Sequence, residues 1–296
     1  MRILITGAAG FIGSNLVKAV FGQMPEAVVL GIDNMNDYYD VRLKEERLAE
    51  LEGYAGFEFV RGNIADKALI DRVFAEFNPQ IVVNLAAQAG VRYSITNPGA
   101  YIEANLIGFY NILEACRNSY SQYEGGVEHL VYASSSSVYG PAGRPDMAYF
   151  GFTNKLVKGE KIQIFNYGNC KRDFTFVDDI VEGVWRVMMN APERQVGEDG
   201  LPVPPYAVYN IGNSNPENLL EFVDILQQEL VRAGVLPSDY DFEAHKELVP
   251  MQPGDVPVTF ADTSALERDF GFKPSTSLRD GLRAFAEWYA GYYGKK

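Results

Sequence analysis

Basic residues, cysteine, histidine and long apolar runs are all scarce in this chain of 296 residues. Lys and Arg number 26 against 39 Asp and Glu, a formal charge of −13, and no Lys/Arg cluster is dense enough to reverse that balance locally. Binding that works by neutralising many phosphates needs the opposite balance, so no nucleic-acid partner is expected, and an anionic small ligand would require a local cationic pocket. The two cysteines, Cys116 and Cys170, are too few for a disulfide framework, and His129 and His245 are too far apart for zinc-ligand spacing. That usage points to a reducing, cytoplasmic setting without a metal site. No apolar run approaches the roughly 20 residues that span a bilayer. Arg2-Ile3-Leu4-Ile5 leads straight into glycines where a signal peptide would carry a long apolar stretch, so neither a membrane partner nor a targeting segment is expected.

What is present suits a sizeable core: 47% of residues are hydrophobic and 13% aromatic, with no low-complexity tract, which allows one large or two modest domains. Short β-branched runs near 2–6, 27–33, 57–62, 81–87 and 129–134 alternate with amphipathic stretches. That order predicts a parallel sheet covered on both faces. The clearest helix spans about Pro98 to Asn118, with Asn97 as its cap and Leu106, Phe109, Ile112, Leu113 and Cys116 at helical spacing, long enough to pack on the sheet and still offer a second face. Beyond Gly140 the pattern loosens into a Pro/Gly-rich loop, strands near 162–167 and 207–211, and helices near 178–190, 218–233 and 278–292, with 193–206 as a surface loop.

Thr6-Gly7-Ala8-Ala9-Gly10-Phe11-Ile12-Gly13-Ser14 follows the first strand and opens a helix. Glycines there let the chain turn tightly, let backbone approach a pyrophosphate and let helix pack closely on strand, while the helix N-terminus offers amide donors and a favourable dipole. Asp33 lies 20 residues beyond Gly13 at the end of the second strand, where a carboxylate accepts from the adenosine ribose hydroxyls and repels a 2′-phosphate. The cofactor expected is NAD rather than NADP. The fold class is therefore α/β: a Rossmann-like doubly wound sheet over 1–140 that binds NAD, then a smaller C-terminal α/β lobe over 141–296 that holds substrate and is partly interleaved with the first domain.

With these residues the chain resembles the extended short-chain dehydrogenases/reductases, the NAD-dependent epimerase/dehydratase group, and within them the UDP-glucuronate 4-epimerases. The G-x-x-G-x-x-G spacing matches that superfamily, and the narrower likeness rests on runs spread over nearly the whole chain: 31–40 (GIDNMNDYYD), 85–94 (LAAQAGVRYS), 134–140 (SSSSVYG), 143–148 (GRPDMA), 171–179 (KRDFTFVDD) and 252–256 (QPGDV). The resemblance implies that Gly7, Gly10, Phe11, Ile12 and Gly13 line the pyrophosphate and that Asp33 and Asn34 meet the adenosine ribose. It further implies that Leu85, Ala86 and Ala87 run beside the cofactor and that Asn105 braces its nicotinamide end. Asn63 and Ile64 fall at the adenine, where the family usually has Asp for Asn63; an amide oxygen can still accept from the adenine amino group. Ser135, with Ser136 beside it, stands where the family keeps a Ser or Thr that bonds the sugar 4-hydroxyl. Arg92, Arg172 and Asp255 fall on the substrate side: Arg92 toward the glucuronate end, and Arg172 toward the nucleotide phosphates, for which a guanidinium fork is well shaped. Plainer readings stand beside these, a turn-forming Ser run and two solvated arginines. Asp178 and Asp179 read as a helix N-terminal cap and dipole partner rather than an acid/base or metal pair.

The chain also departs from the pattern. The superfamily's Tyr and Lys four residues apart, expected on the helix after the serine strand, are absent, and Val138-Tyr139-Gly140 runs directly into Pro141-Ala142-Gly143-Arg144. It reads as an internal deletion of a crossover and strand, at least about 30 residues if one βαβ step is gone. Tyr167 and Lys171 have the right spacing but follow a strand-like run, whereas the chemistry needs both side chains on one helix face. The implied activity is isomerase chemistry: C4 epimerisation of UDP-glucuronate to UDP-galacturonate through a 4-keto sugar. The alternative is a non-catalytic NAD- or nucleotide-sugar-binding module, or an inactive deletion variant. A dehydratase is a weaker reading, because such enzymes carry Thr-Asp-Glu where this chain has Ser135-Ser136-Ser137. The family's homodimer uses the long helix together with the missing one, so its surface is cut here.

Overall fold

The computed structural model describes residues 1–122, 125–134, 148–193, 195–203, 205–251 and 257–294. The chain divides into two compact units, Met1–Ser134 with Val181–Val208, and Ser135–Ile180 with Tyr209–Lys296.

In the first unit the strands β1 (Arg2–Thr6), β2 (Val28–Asp33), β3 (Phe57–Arg61), β4 (Ile81–Asn84) and β5 (His129–Tyr132) form one sheet in the order β3-β2-β1-β4-β5. Every pairing is parallel. Ile3, Leu4 and Ile5 at its centre are fully buried, as both-faces-covered strands require. The covering helices are α1 (Phe11–Gln23), α2 (Val41–Leu51), α3 (Lys67–Phe77) and a long stretch built from α4 (Val91–Thr96), α5 (Pro98–Tyr101), a π-helical segment (Ile102–Gly108) and α6 (Phe109–Gln122). On one face Ile70, Val73 and Phe74 of α3 and Ile112 of α6 pack with Leu4, Leu30 and Val82. On α1, Leu16, Val17 and Val20 are fully buried. The strand order reverses between β1 and β4, which makes their carboxyl ends the crevice where doubly wound sheets bind ligands.

The second unit contains α7 (Ala148–Val157), β6 (Ile162–Ile164), β7 (Lys171–Asp173) and the first turn of α8 (Val177–Met188). A two-strand hairpin, β8 (Gln195–Val196) with β9 (Pro202–Val203), belongs to the first unit. The second unit then continues with β10 (Pro216–Asn218), α9 (Leu219–Arg232), β11 (Lys246–Leu248), β12 (Val258–Thr259), α10 (Ser264–Phe270) and α11 (Leu278–Tyr293). Its sheets are small, β10-β7-β12 and β11-β6, and its core joins Phe222, Leu226 and Leu230 of α9 to Leu282 and Ala286 of α11.

Four expectations need correction. Asn97 does not cap a helix through its side chain; its Nδ2 donates to the Tyr93 hydroxyl at 2.7 Å, because a short helix precedes it and turns that tyrosine toward it. The strand placed near 207–211 has no ladder; side chains hold the segment instead, Tyr209 Oη to Asp269 Oδ2 at 3.1 Å and Asn210 Nδ2 to the Asp262 carbonyl at 2.9 Å. The strand near 162–167 stops at Ile164, since Asn166 and Tyr167 take φ values of +51° and +52° and turn the chain. The loop over 193–206 contains the β8–β9 hairpin, where Gly197 N donates to the Leu201 carbonyl at 2.8 Å.

Candidate functional site

The site begins with the turn from β1 into α1. Gly7 has φ +71°, and a Cβ there would lie 2.9 Å from the amide nitrogen of Ala86, beyond the end of β4. At Gly13 a Cβ would lie 2.1 Å from the Gly7 carbonyl oxygen, so the first turn of the helix presses on the loop and only glycine fits. Gly7 N donates to the Ile32 carbonyl at 2.7 Å and Gly10 N to the Gly7 carbonyl at 3.0 Å, which fixes the loop. Ser14 N donates to the Gly10 carbonyl at 3.0 Å. The amides of Phe11, Ile12 and Gly13 come before that bond and are the donors a helix start leaves without intrahelical acceptors, at the positive end of the dipole. No acidic side chain occupies that first turn. Phe11 is exposed, Ile12 half-buried and Gly13 buried.

Asp33 ends β2 beside this loop and is buried. Its Oδ1 accepts from Met35 N at 2.8 Å and faces Lys44 Nζ at 3.4 Å, which leaves Oδ2 to meet a hydroxyl. Lys44 is also buried; it donates to Asn36 Oδ1 at 2.9 Å and stands 5.2 Å from the centre of the Tyr39 ring. One turn on, Arg47 donates to the Tyr39 hydroxyl at 3.1 Å and lies 5.5 Å over the Phe11 ring. Burial raises the Tyr39 phenol above its ordinary range and the Asp33 charge adds to that, against the opposing pull of Arg47. Lys44 and Arg47 had no role in the sequence reading. In sequence they are only two cations at i and i+3 on one helix face, a pattern that ordinarily belongs to a solvated surface. Asn34 is exposed and its Oδ1 accepts from Asn36 N at 3.1 Å.

The β4 exit lies against the loop: Leu85 N donates to the Thr6 carbonyl at 3.2 Å and Ala86 N to Thr6 Oγ1 at 3.1 Å. Leu85 and Ala86 are half-buried and Ala87 is exposed. Asn105, on the π-helical segment, clasps the backbone of Gln88 from both sides, accepting from its N at 2.8 Å and donating to its carbonyl at 3.0 Å. Asn63 Oδ1 accepts from Ala65 N at 2.9 Å while its Nδ2 donates to Glu103 Oε1 at 2.7 Å. Ile64 is buried in the core beneath.

In the second unit Arg172 is buried on β7, and its Nη1 donates to the carbonyls of Lys171 at 2.9 Å and Pro257 at 3.3 Å, partners without charge. Ser135, Ser136 and Asp255 lie outside the described residues, as does the side chain of Arg92 on α4. Tyr167 sits in a 3₁₀ turn with positive φ and Lys171 on a strand, so this spaced pair shares no helix face. The same spacing recurs from Tyr292 to Lys296; Tyr292 stacks on Trp288 with ring centres 5.1 Å apart, and Lys296 lies outside the described residues. Asp178 and Asp179 stand in the first turn of α8, where Asp179 Oδ2 accepts from Thr276 N at 2.9 Å and Ser275 N at 3.2 Å. His129 Nδ1 meets the Met188 carbonyl at 3.0 Å, and His245 stacks on Tyr240 with ring centres 4.5 Å apart. Among the described residues no helix is long and apolar enough to cross a membrane.

The sequence profile of the NAD dependent epimerase/dehydratase family matches residues 3–153, and that of GDP-mannose 4,6 dehydratase matches 152–285. The chain belongs to the NAD-dependent epimerase/dehydratase family. Within this short-chain dehydrogenase/reductase family it is similar to Protein CapI of Staphylococcus aureus, 40% identical with all of both chains covered. It is 37% identical to UDP-glucuronate 4-epimerase 2 of Arabidopsis thaliana, with 100% of this chain and 78% of that protein covered. The epimerase/dehydratase fold appears in the UDP-glucuronic acid 4-epimerase of Bacillus cereus, solved with UDP-glucuronic acid and NAD, at a TM-score of 0.80 and 24% identity over 99% of this chain and 100% of that one. The alignment to CapI runs over 353 positions against 296 residues here, so at least 57 of those positions have no counterpart in this chain.

Proposed function

We propose that this chain is an NAD-dependent epimerase of a nucleotide sugar, converting UDP-glucuronate to UDP-galacturonate. The observation that carries the proposal is the glycine turn at the reversal point of the sheet, joined to a buried Asp33 with one oxygen engaged and one available. The fit to a dinucleotide is good on this chain's own geometry: Gly7 and Gly13 clear the space a Cβ would fill, and free helix-start amides stand beside it. Bound there, NAD supplies a hydride acceptor and donor at sugar C4, so the cofactor is regenerated in each turnover.

The residues divide the remaining work. The amides of Phe11, Ile12 and Gly13 hold the pyrophosphate, Asp33 and Asn34 hold the adenosine ribose, and Lys44 fixes the carboxylate of Asp33. Asn105 keeps the Leu85 to Gln88 loop in place through Gln88, beside the nicotinamide end. Arg172, buried against neutral carbonyls, has charge to offer a nucleotide phosphate. Ser135, with Ser136 next to it, bonds the sugar 4-hydroxyl, and Arg92 and Asp255 serve the uronate and substrate side. Relatives named UDP-glucuronate 4-epimerase support the substrate. The compartment that suits two free, buried cysteines is a reducing cytoplasm.

One observation favours a second reading, a non-catalytic NAD- or nucleotide-sugar-binding module: the spaced Tyr167 and Lys171 do not share a helix face, and Ser135 alone is a poor base. The shortfall of at least 57 positions against CapI agrees with a lost crossover. One experiment separates the two. The purified chain is titrated with NAD and then incubated with NAD and UDP-glucuronate, with products resolved by liquid chromatography and mass spectrometry. Formation of UDP-galacturonate establishes the epimerase, NAD binding without a new sugar nucleotide establishes the NAD-binding module, and no NAD binding overturns both of these and leaves only a module that binds the sugar nucleotide.

A further inference from the structure

The sheet order places β3 directly outside β2, on the side away from β1. A dinucleotide whose pyrophosphate lies at the exit of β1 and whose ribose lies at Asp33 must therefore carry its base onward to the exit of β3. That exit is joined to the ribose site: Gly62 N donates to the Asp33 carbonyl at 3.0 Å. The amide of the next residue, Asn63, is committed on both ends. Its oxygen already takes the Ala65 amide, and its nitrogen donates to Glu103.

Glu103 belongs to the π-helical segment, and that segment is seated on the β3 exit. A Cβ at Gly108 would lie 2.5 Å from Ile64 Cγ1, and Asn111 Nδ2 donates to the carbonyls of Ile64 and Ala65, both at 3.0 Å. Glu103 Oε1 accepts from Asn63 at 2.7 Å, which holds the carboxylate beside the β3 exit, and the residue is exposed. An exocyclic amino group is a donor and pairs with such an acceptor, whereas a 6-oxo base presents an acceptor to it.

We propose that Glu103 is a specificity-determining residue for the cofactor's base, its carboxylate accepting from the 6-amino group of adenine while Asn63 holds it in place. The proposal rests on the glycine turn being a dinucleotide site. The test measures equilibrium binding of NAD and of nicotinamide hypoxanthine dinucleotide, the 6-oxo analogue, to the full chain and to Glu103→Ala, Glu103→Gln and Glu103→Ala with Asn63→Asp. The expected result is that the unaltered chain prefers NAD by about tenfold or more, the strength of a charge-assisted hydrogen bond. The preference falls to within about threefold in Glu103→Ala and returns when Asn63→Asp supplies a carboxylate from the other side. Glu103→Gln keeps an acceptor and stands between them, so it reads the same contact should Glu103→Ala lose its fold by circular dichroism. An unchanged preference in Glu103→Ala, or equal binding of both dinucleotides by the unaltered chain, overturns the proposal and leaves the dinucleotide site intact. Failure to bind either dinucleotide overturns that site, and this proposal with it.

Discussion

Gly13 sets how closely anything can approach the first turn of α1. A methyl group at that position meets the Gly7 carbonyl oxygen at 2.1 Å, and backbone cannot yield as a flexible side chain would. Gly13→Ala is therefore expected to weaken NAD binding by about tenfold or more in a calorimetric titration, because the amides proposed to hold the pyrophosphate shift with the loop. This glycine and its partners were legible in the sequence, since close approach leaves no substitute for a missing side chain. Lys44 and Arg47 were not legible. Cations on a helix ordinarily belong to a solvated face, and only the fold shows Lys44 buried against Asp33 and Arg47 laid over Phe11. By sequence Asn63 offers an acceptor for the base; in the fold its oxygen is held by the turn that it opens, a commitment that spacing alone does not reveal.

At the scale of elements, α9 and α11 are joined by Glu229, a carboxylate only 3% exposed that meets Arg232 Nε at 2.7 Å, Arg279 Nη1 at 2.8 Å and Arg283 Nε at 3.4 Å. Burial pushes this carboxyl upward, but the hydrogen bonds from Arg232 and Arg279 and the charge of Arg283 outweigh it and hold the group below the ordinary carboxylate range. A depressed folded value contributes stability above the unfolded value and loses it as pH falls through the folded one. Glu229→Gln is expected to cost about 1–3 kcal/mol near neutrality, the arginines being partly exposed, as read by urea unfolding. The gap to the parent should narrow as pH falls below the ordinary carboxylate range and through the depressed folded value. The five strands of the first sheet were legible because parallel strands buried on both faces read as short β-branched runs. The long helix was legible as a helix but not in its breaks, because Phe109, Ile112, Leu113 and Cys116 keep a spacing of three and four after the π-helical segment and carry the pattern without it. Residues 207–211 carried strand-like Val208 and Tyr209, yet no strand pairs with them among the described residues, and propensity without a partner builds no sheet.

For the whole molecule, the division into two units gives a calorimetric expectation. Residues that meet the dinucleotide loop lie in Met1–Ser134, whereas Glu229 and its arginines lie in the unit that includes Tyr209–Lys296. In differential scanning calorimetry, NAD at a hundredfold excess over its dissociation constant should stabilise the first unit by about 2.7 kcal/mol. Glu229→Gln should lower the transition of the second. Two transitions that move separately establish independent unfolding; a single transition shifted by both perturbations shows that the units melt together.

Between Ile102 and Gly108 the backbone closes its bonds over five residues instead of four, so each loop there holds one residue more than its neighbours. That surplus fixes the angular phase between the stretches on either side. Losing any one residue of the seven would let the spiral tighten to its common pitch and swing its upstream half by about 100°. Glu103 would turn away from the third strand's exit while Ile112, downstream, stayed bedded in the core. Asn105 would quit Gln88 in the same swing, so a length change at this place would loosen the grip on the whole dinucleotide along with the choice of nucleobase.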